Sequence, residues 1–259
     1  MQNKRLHIIM PMAGEGNRFK NAGYTTPKPL IKLNGKEIDK HSLSSLNGIE
    51  DKDIEIVHTF IIRKEFELIK EDLLNSYPEA NVILVEKTTN GSLETCMLAK
   101  DFIEDNDRVI ILDCDVMFKS EQYINIIKNN IGNNIQYPLL LGFYSHDPKY
   151  SYAEYEDNGS LINNVIRTAE KIPISNCALA GCYYVGNGKT FKERAQRLID
   201  DFYHNEEFGY KEIYVSLLYN YMKDLNPYVY KMNVYKDNLW SLGTPQDLER
   251  FSFDRNVWD

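Results

Sequence analysis

The sequence has no run of about 18 apolar residues, the length a membrane-crossing helix needs. The short apolar stretch at residues 6–12 is broken by His7 and Pro11, so the Lys4-Arg5 pair ahead of it introduces a buried strand rather than a secretion signal. Excess positive charge is also missing. Lys plus Arg number 30 against 38 Asp plus Glu, a formal charge of −8. That argues against nucleic acid or an anionic membrane as the main partner, yet leaves room for one local basic pocket. The four cysteines, Cys96, Cys114, Cys177 and Cys182, lack zinc-ribbon or CxxC spacing and read as small buried side chains in a reducing cytoplasm. The five histidines show no metal spacing. No linker rich in Pro, Gly or Ser, no repeat and no low-complexity tract divides the chain, so residues 1–259 are expected to form one domain.

What is present is an ordinary globular composition, 43% hydrophobic and 26% charged, over a length that needs no disulfide or metal staple. Strand and helix patterns alternate through the first half. Strands are expected at residues 6–12, 54–62, 81–85 and 108–112, and helices at 39–46, 63–77 and 92–103. That rhythm predicts an α/β fold with helices on both faces of a largely parallel sheet. After about residue 137 the rhythm changes to strands at 137–144, 151–156, 161–166 and 179–185, with an Asp157-Asn158-Gly159 hairpin signal. Helices at 189–203 and 212–223, a strand at 228–234 and a helix from Pro245, capped by Thr244, complete the pattern.

The first strand runs into Pro11-Met12-Ala13-Gly14-Glu15-Gly16-Asn17-Arg18-Phe19, inside a loop that extends to residue 29. Two glycines two apart let bare backbone N–H groups approach an anion, and Arg18 can fork onto phosphate oxygens. Lys28 stands between Pro27 and Pro29, which predicts a stiff, extended presentation of a point charge. The dinucleotide fingerprint fails at Phe19, no helix is expected to follow the glycines at once, and no G-K-[ST] makes a P-loop. Asp113 and Asp115 follow the apolar strand at 108–112. Two residues apart on extended chain, both carboxylates face one side, at the strand end where open α/β sheets bind ligands.

The pattern GxGxR followed by Pro27-Lys28-Pro29-Leu30 resembles the signature loop of the nucleoside-diphosphate-sugar pyrophosphorylases, the sugar-phosphate nucleotidyltransferases, including capsule-type cytidylyltransferases. The resemblance implies a Rossmann-like, three-layer domain of the kind shared with GT-A glycosyltransferases, with a mixed, mostly parallel sheet. About 1–136 would bind the NTP and about 137–259 the acceptor. It implies that Met12, Ala13, Gly14, Gly16, Asn17, Arg18 and Lys28 wrap the nucleotide's phosphates, with Arg18 and Lys28 catalytic. Gly91 and Ser92, in Asn90-Gly91-Ser92-Leu93-Glu94-Thr95, would meet the nucleobase; the same residues read equally as a helix cap. Asp115 would hold Mg²⁺, with Asp113 a neighbour of unassigned role. Glu170, Lys171 and Gly181 would face the acceptor.

The sequence departs from the family at Trp240-Ser241-Leu242-Gly243-Thr244-Pro245, where Ser241 replaces a second acidic metal ligand and Asp237 is the nearby substitute. Tyr210, Tyr214 and Tyr221 are further candidates for the acceptor pocket. The implied activity is transfer of NMP from an NTP, with a lean to CTP, onto a phosphorylated sugar or similar small metabolite. Pyrophosphate leaves, and the product is an activated precursor for cell-surface polysaccharide made in the cytoplasm. A homo-oligomer is compatible with the sequence and not readable from it. Two alternatives stay open: a glycosyltransferase using Asp113-Cys114-Asp115 as a DxD motif, and an inactive nucleotide-binding homologue.

Overall fold

Short runs of Ile, Val, Leu and Phe set the sheet, because branched side chains pack well on a pleated surface. The computed structural model describes residues 4–254; the ends of the expected 1–259 domain lie outside these. The main sheet has nine strands: β1 (Lys4–Met12), β2 (Ile54–Arg63), β3 (Asn81–Val85), β4 (Arg108–Leu112), β5 (Leu139–Tyr144), β6 (Ser151–Tyr155), β7 (Ile162–Glu170), β8 (Cys177–Val185) and β9 (Tyr228–Lys231). Their order across the sheet is β3-β2-β1-β4-β8-β5-β9-β7-β6.

The first four strands are parallel neighbours. From β4 onward the sheet is antiparallel apart from β5 with β9, so it is mixed but not mostly parallel. The extra pairing of β8 with β6 at Ala178 and Tyr152 closes β8-β5-β9-β7-β6 into a five-strand ring. The reason is connectivity. Short links in the second half permit hairpins, whereas parallel pairing needs a long crossover.

Alternation along β1 splits the core. Ile9 faces a cluster with Leu93, Cys96, Phe191 and Leu198, and Leu6, Ile8 and Met10 face one with Phe60, Leu73, Tyr123 and Ile127. Helices α1 (Asn17–Asn21), α2 (Ile38–Leu43), α3 (Leu68–Ser76), α4 (Ser92–Met97), α5 (Glu121–Gly132), α6 (Gly188–His204) and α7 (Pro245–Phe253) surround the sheet. Thr244 caps α7 as expected, its Oγ1 accepting from the Asp247 N–H at 3.1 Å. The helix expected at 212–223 is instead a 3₁₀ segment, Val215–Tyr221. Its residues Val215, Leu217, Leu218 and Tyr219 are all buried, and Asn220 exchanges hydrogen bonds with the Thr168 backbone of β7.

Asp39 on α2 is fully buried, and neither carboxylate oxygen has a hydrogen-bond partner among the described residues. Burial, the largest influence, pushes its pKa from 3.8 to about 6 against the pull of Lys40. Between those values the folded chain holds a proton that the unfolded chain has lost. Asp39 therefore subtracts stability as pH rises from about 4 to about 6, by roughly 2–3 kcal/mol. Urea titrations at pH 4 and 7 should show the wild type losing that amount relative to Asp39→Asn. A difference between the two proteins that does not change with pH would remove Asp39 as the source.

Candidate functional site

β1 and β4 are adjacent and parallel, so their carboxyl ends bring two loops together. From β1, residues 13–16 run into α1, a single turn that begins immediately after Gly16, where a longer loop was expected. From β4 come Asp113, Cys114 and Asp115. Lys28 reaches them from its own turn. Pro27 is extended, but Lys28–Leu30 is a 3₁₀ turn, not a straight segment. The turn aims the Lys28 Nζ at Asp115 Oδ2, 2.6 Å away.

This pair is the electrostatic centre. Burial works against the charge on Lys28, but Asp115, Cys114 and Asp113 outweigh it and the ammonium pKa rises. Burial likewise opposes ionisation of Asp115, yet Lys28 and Arg18 hold its pKa below the ordinary carboxylate value. Asp113 is different. Burial and then the Asp115 charge push it up to about 8. Two like carboxylates thus sit at one strand end with only one firmly ionised.

Gly181 explains how Asp113 fits. β8 shifts register between Leu179 and Tyr183, and Gly181 adopts φ +68° there. A Cβ at this position would lie 2.6 Å from Asp113 Oδ2, and the Gly181 carbonyl accepts from the Asp113 N–H at 2.8 Å. The bulge in β8 is therefore shaped around Asp113.

Two clefts meet at these aspartates. The larger, about 520 Å³, is walled by residues 11–17, Lys28, residues 88–92, Asp113 and Asp115. Met12, Ala13, Gly14, Gly16, Asn17, Lys28, Gly91 and Ser92 are thus brought together as expected. Asn17 donates to Glu15 at 2.7 Å, placing an acidic side chain beside the glycines. A Cβ on Gly14 would meet nothing within 4 Å, so its open side faces free space. The smaller cleft, about 180 Å³, contains Glu170 and Gly181, and Arg18 lines this cleft rather than the larger one. Glu170 accepts hydrogen bonds from Ser151 and Ser216.

Lys171 lines neither cleft. It has φ +56°, and its Nζ donates to the Tyr214 hydroxyl at 2.9 Å while lying 4.7 Å from that ring's centre. None of Tyr210, Tyr214 and Tyr221 lines the smaller cleft. Tyr221 donates to Asp201, and Tyr210 packs near Phe208. Asp237 does not stand in for an acidic residue at 241. It accepts from the Tyr230 hydroxyl and the Asn233 N–H, closing a turn.

Sequence reasoning missed four things. A ribbon formed by Val116–Lys119 and Asn238–Ser241 sets Ser241 opposite Val116. The Asp115 carbonyl accepts from the Leu242 N–H at 2.7 Å, so residues 241–243 wrap Asp115. Asp247 and Lys149 line the smaller cleft. The Ser241 hydroxyl donates to Asp247 at 3.1 Å, and Lys149 Nζ is 3.7 Å from the same carboxylate. Lys211 and Glu212 line the larger cleft. The ribbon's first strand shows in the sequence only as the apolar run Val116-Met117-Phe118; nothing local marked the others.

Among the described residues no three His, Cys, Asp or Glu side chains gather as a metal-binding group. The donor chemistry at Asp113 and Asp115 is nevertheless that of a hard cation held by one or two carboxylates. All four cysteines are free and buried, and burial pushes the Cys114 thiol up to about 12. No described helix is long and apolar enough to cross a membrane.

A family model described as nucleotidyl transferase matches residues 6–253. A nucleoside-diphosphate-sugar pyrophosphorylase from Vibrio cholerae superposes with a TM-score of 0.77 at 23% identity, covering 95% of this chain and 100% of that one. The inositol-1-phosphate CTP transferase of T. maritima gives 0.69 at 16%, covering 100% and 95%. The bifunctional protein GlmU of Methanococcus maripaludis is 27% identical over 182 residues, 70% of this chain. The matched region spans about 40% of that curated relative's length.

Proposed function

This chain belongs to the nucleotidyl transferase family, and on that premise we propose that it transfers NMP from an NTP to a small phosphorylated acceptor and releases pyrophosphate. One observation carries the reading. Two clefts of unequal size meet at Asp113 and Asp115, the latter paired with Lys28, and the larger is walled by the glycine loop and the Gly91 turn. The larger suits a nucleoside triphosphate. The smaller, with Ser151, Glu170, Ser241 and Asp247 on its walls, suits a compact phosphorylated polyol or sugar. CTP is the leading nucleotide, from the likeness of the first loop to capsule-type cytidylyltransferases. The product then supplies cell-surface polysaccharide synthesis in the cytoplasm.

The acceptor is already anionic, so no strong base is required. Catalysis is positioning and charge neutralisation. The backbone of residues 12–17 cradles the phosphates. Lys28 stays protonated at neutral pH and meets negative charge at the reacting phosphorus. Arg18, in the acceptor cleft beside Asp115, neutralises the incoming phosphate. Lys171 acts from outside both clefts by fixing Tyr214 and the chain next to it. Glu170, Gly181 and Asp113 shape the acceptor cleft. Mg²⁺ would be held by Asp115, with Asp113 beside it, and would supply further neutralisation of phosphate charge.

The test is a pyrophosphate-release assay with Mg²⁺, the four common NTPs and a panel of sugar, alditol and polyol phosphates. Pyrophosphate formed with one pair and not with NTP alone is the expected result. Nucleoside diphosphate released from a sugar nucleotide would instead assign a glycosyltransferase. NTP binding without turnover on any acceptor would leave a nucleotide-binding module.

A further inference from the structure

The segment 211–215 comes from the second half of the chain yet closes the nucleotide cleft of the first. Ile213 is buried, and its N–H donates to the Asn90 carbonyl at 2.7 Å. Its own carbonyl accepts from Leu93 at 3.0 Å, and the Val215 N–H donates to Ser92 Oγ at 3.3 Å. The strap is thus fastened to the turn assigned above to the nucleobase. Between Ile213 and Val215, Tyr214 is held by Lys171. Glu212, the residue just before Ile213, lines the larger cleft, and its carboxylate has no hydrogen bond or ion pair with a described residue.

Position restricts what Glu212 can meet. It adjoins the residue that covers Gly91, at the base end, and is close enough to Glu170 and Lys171 to act on their charges. Glu170 in turn acts on Asp113, where the clefts meet. A nucleotide laid from the Gly91 turn to the glycine loop puts its ribose between base and phosphates, alongside Glu212. A carboxylate there repels phosphate and accepts from hydroxyl groups. We infer that Glu212 accepts hydrogen bonds from the ribose hydroxyls and is the residue by which this enzyme prefers ribonucleotides over 2′-deoxyribonucleotides.

The inference rests on the nucleotidyltransferase reading, so its test separates the two. Calorimetric titration with Mg²⁺ uses ATP, CTP, GTP and UTP, each beside its 2′-deoxy counterpart (dUTP for UTP), without acceptor. Wild type should bind the ribonucleotide about tenfold more tightly, the scale of one hydrogen bond to a charged group. Glu212→Ala should bring the pair within about twofold, by weakening the ribonucleotide alone. Glu212→Gln, which keeps a carbonyl acceptor, should retain part of the preference. Because Glu212 is exposed, both variants should fold, as circular dichroism would verify. Wild type that binds an NTP without distinguishing its deoxy form overturns the inference and leaves the parent reading standing. So does a Glu212→Ala loss equal for both sugars, or one that follows the base's amino group instead. No binding of any NTP overturns both.

Discussion

Lys28→Ala is expected to lower turnover about a hundredfold, the loss seen when one preorganised charge donor is taken from a transition state, or about 2.7 kcal/mol. The effect should fall on kcat and kcat/KM together, because the charge matters most as negative charge builds on the phosphorus. Lys28 is the lysine of this cleft that contacts Asp115, while Lys211 stands on the strap beside Glu212. Arg18 lines the other cleft, and Lys171 is committed to Tyr214. The Lys28 side chain is only about one-fifth exposed, and its contact with Asp115 is 2.6 Å, so the ammonium is held in place before substrate arrives. Its pKa is raised, so it carries charge throughout the neutral range and contributes no alkaline limb to the pH profile there. Steady-state kinetics on protein with an unchanged urea midpoint gives the comparison. Wild-type turnover in that protein would take Lys28 out of the mechanism.

Gly91→Ala should be the most damaging of the small substitutions. Gly91 has φ +141°, a region that residues with a Cβ avoid, and an added Cβ would run into the Ile213 backbone. Neither can yield locally, since Ile213 is fixed by hydrogen bonds to residues 90 and 93. Strain plus overlap should cost about 3 kcal/mol. Denaturant midpoints should fall accordingly, and nucleotide affinity with them, because the strap must lift. Gly14→Ala is the contrast. Its Cβ would enter open space, so stability should hold within about 0.5 kcal/mol while NTP binding weakens from crowding in the cleft. A Gly91→Ala protein as stable as wild type would mean that the strap is loosely attached.

The parallel half of the sheet was legible because β1, β2, β3 and β4 are short apolar runs separated by helix-length connections. The glycine loop, Lys28 and the two aspartates were legible because their spacing is local. Three failures have separate causes. α5 went unassigned although Ser120 caps it and Tyr123, Ile124, Ile127 and Ile131 lie at helical spacing; the signal existed beside a louder motif. Val215–Tyr221 carries helix-like residues but forms a 3₁₀ segment tied to β7 through Asn220. Glu212, Lys149 and Asp247 enter the clefts through contacts between distant segments, which no window of sequence contains. Lys171 and Asp237 show the converse. Each lies near its expected place along the chain, but tertiary partners, Tyr214 for one and Tyr230 with Asn233 for the other, direct it elsewhere.

β8 is laid directly against β4, although nearly seventy residues separate them along the chain. Until Cys177–Val185 leaves the ribosome, the edge of β4 has no neighbour on that side, and its five residues are all apolar or buried in the finished protein. A nascent chain halted before that point exposes a sticky margin able to recruit another copy. Chaperone dependence should therefore be concentrated between the synthesis of β4 and that of β8, and end once β8 is available.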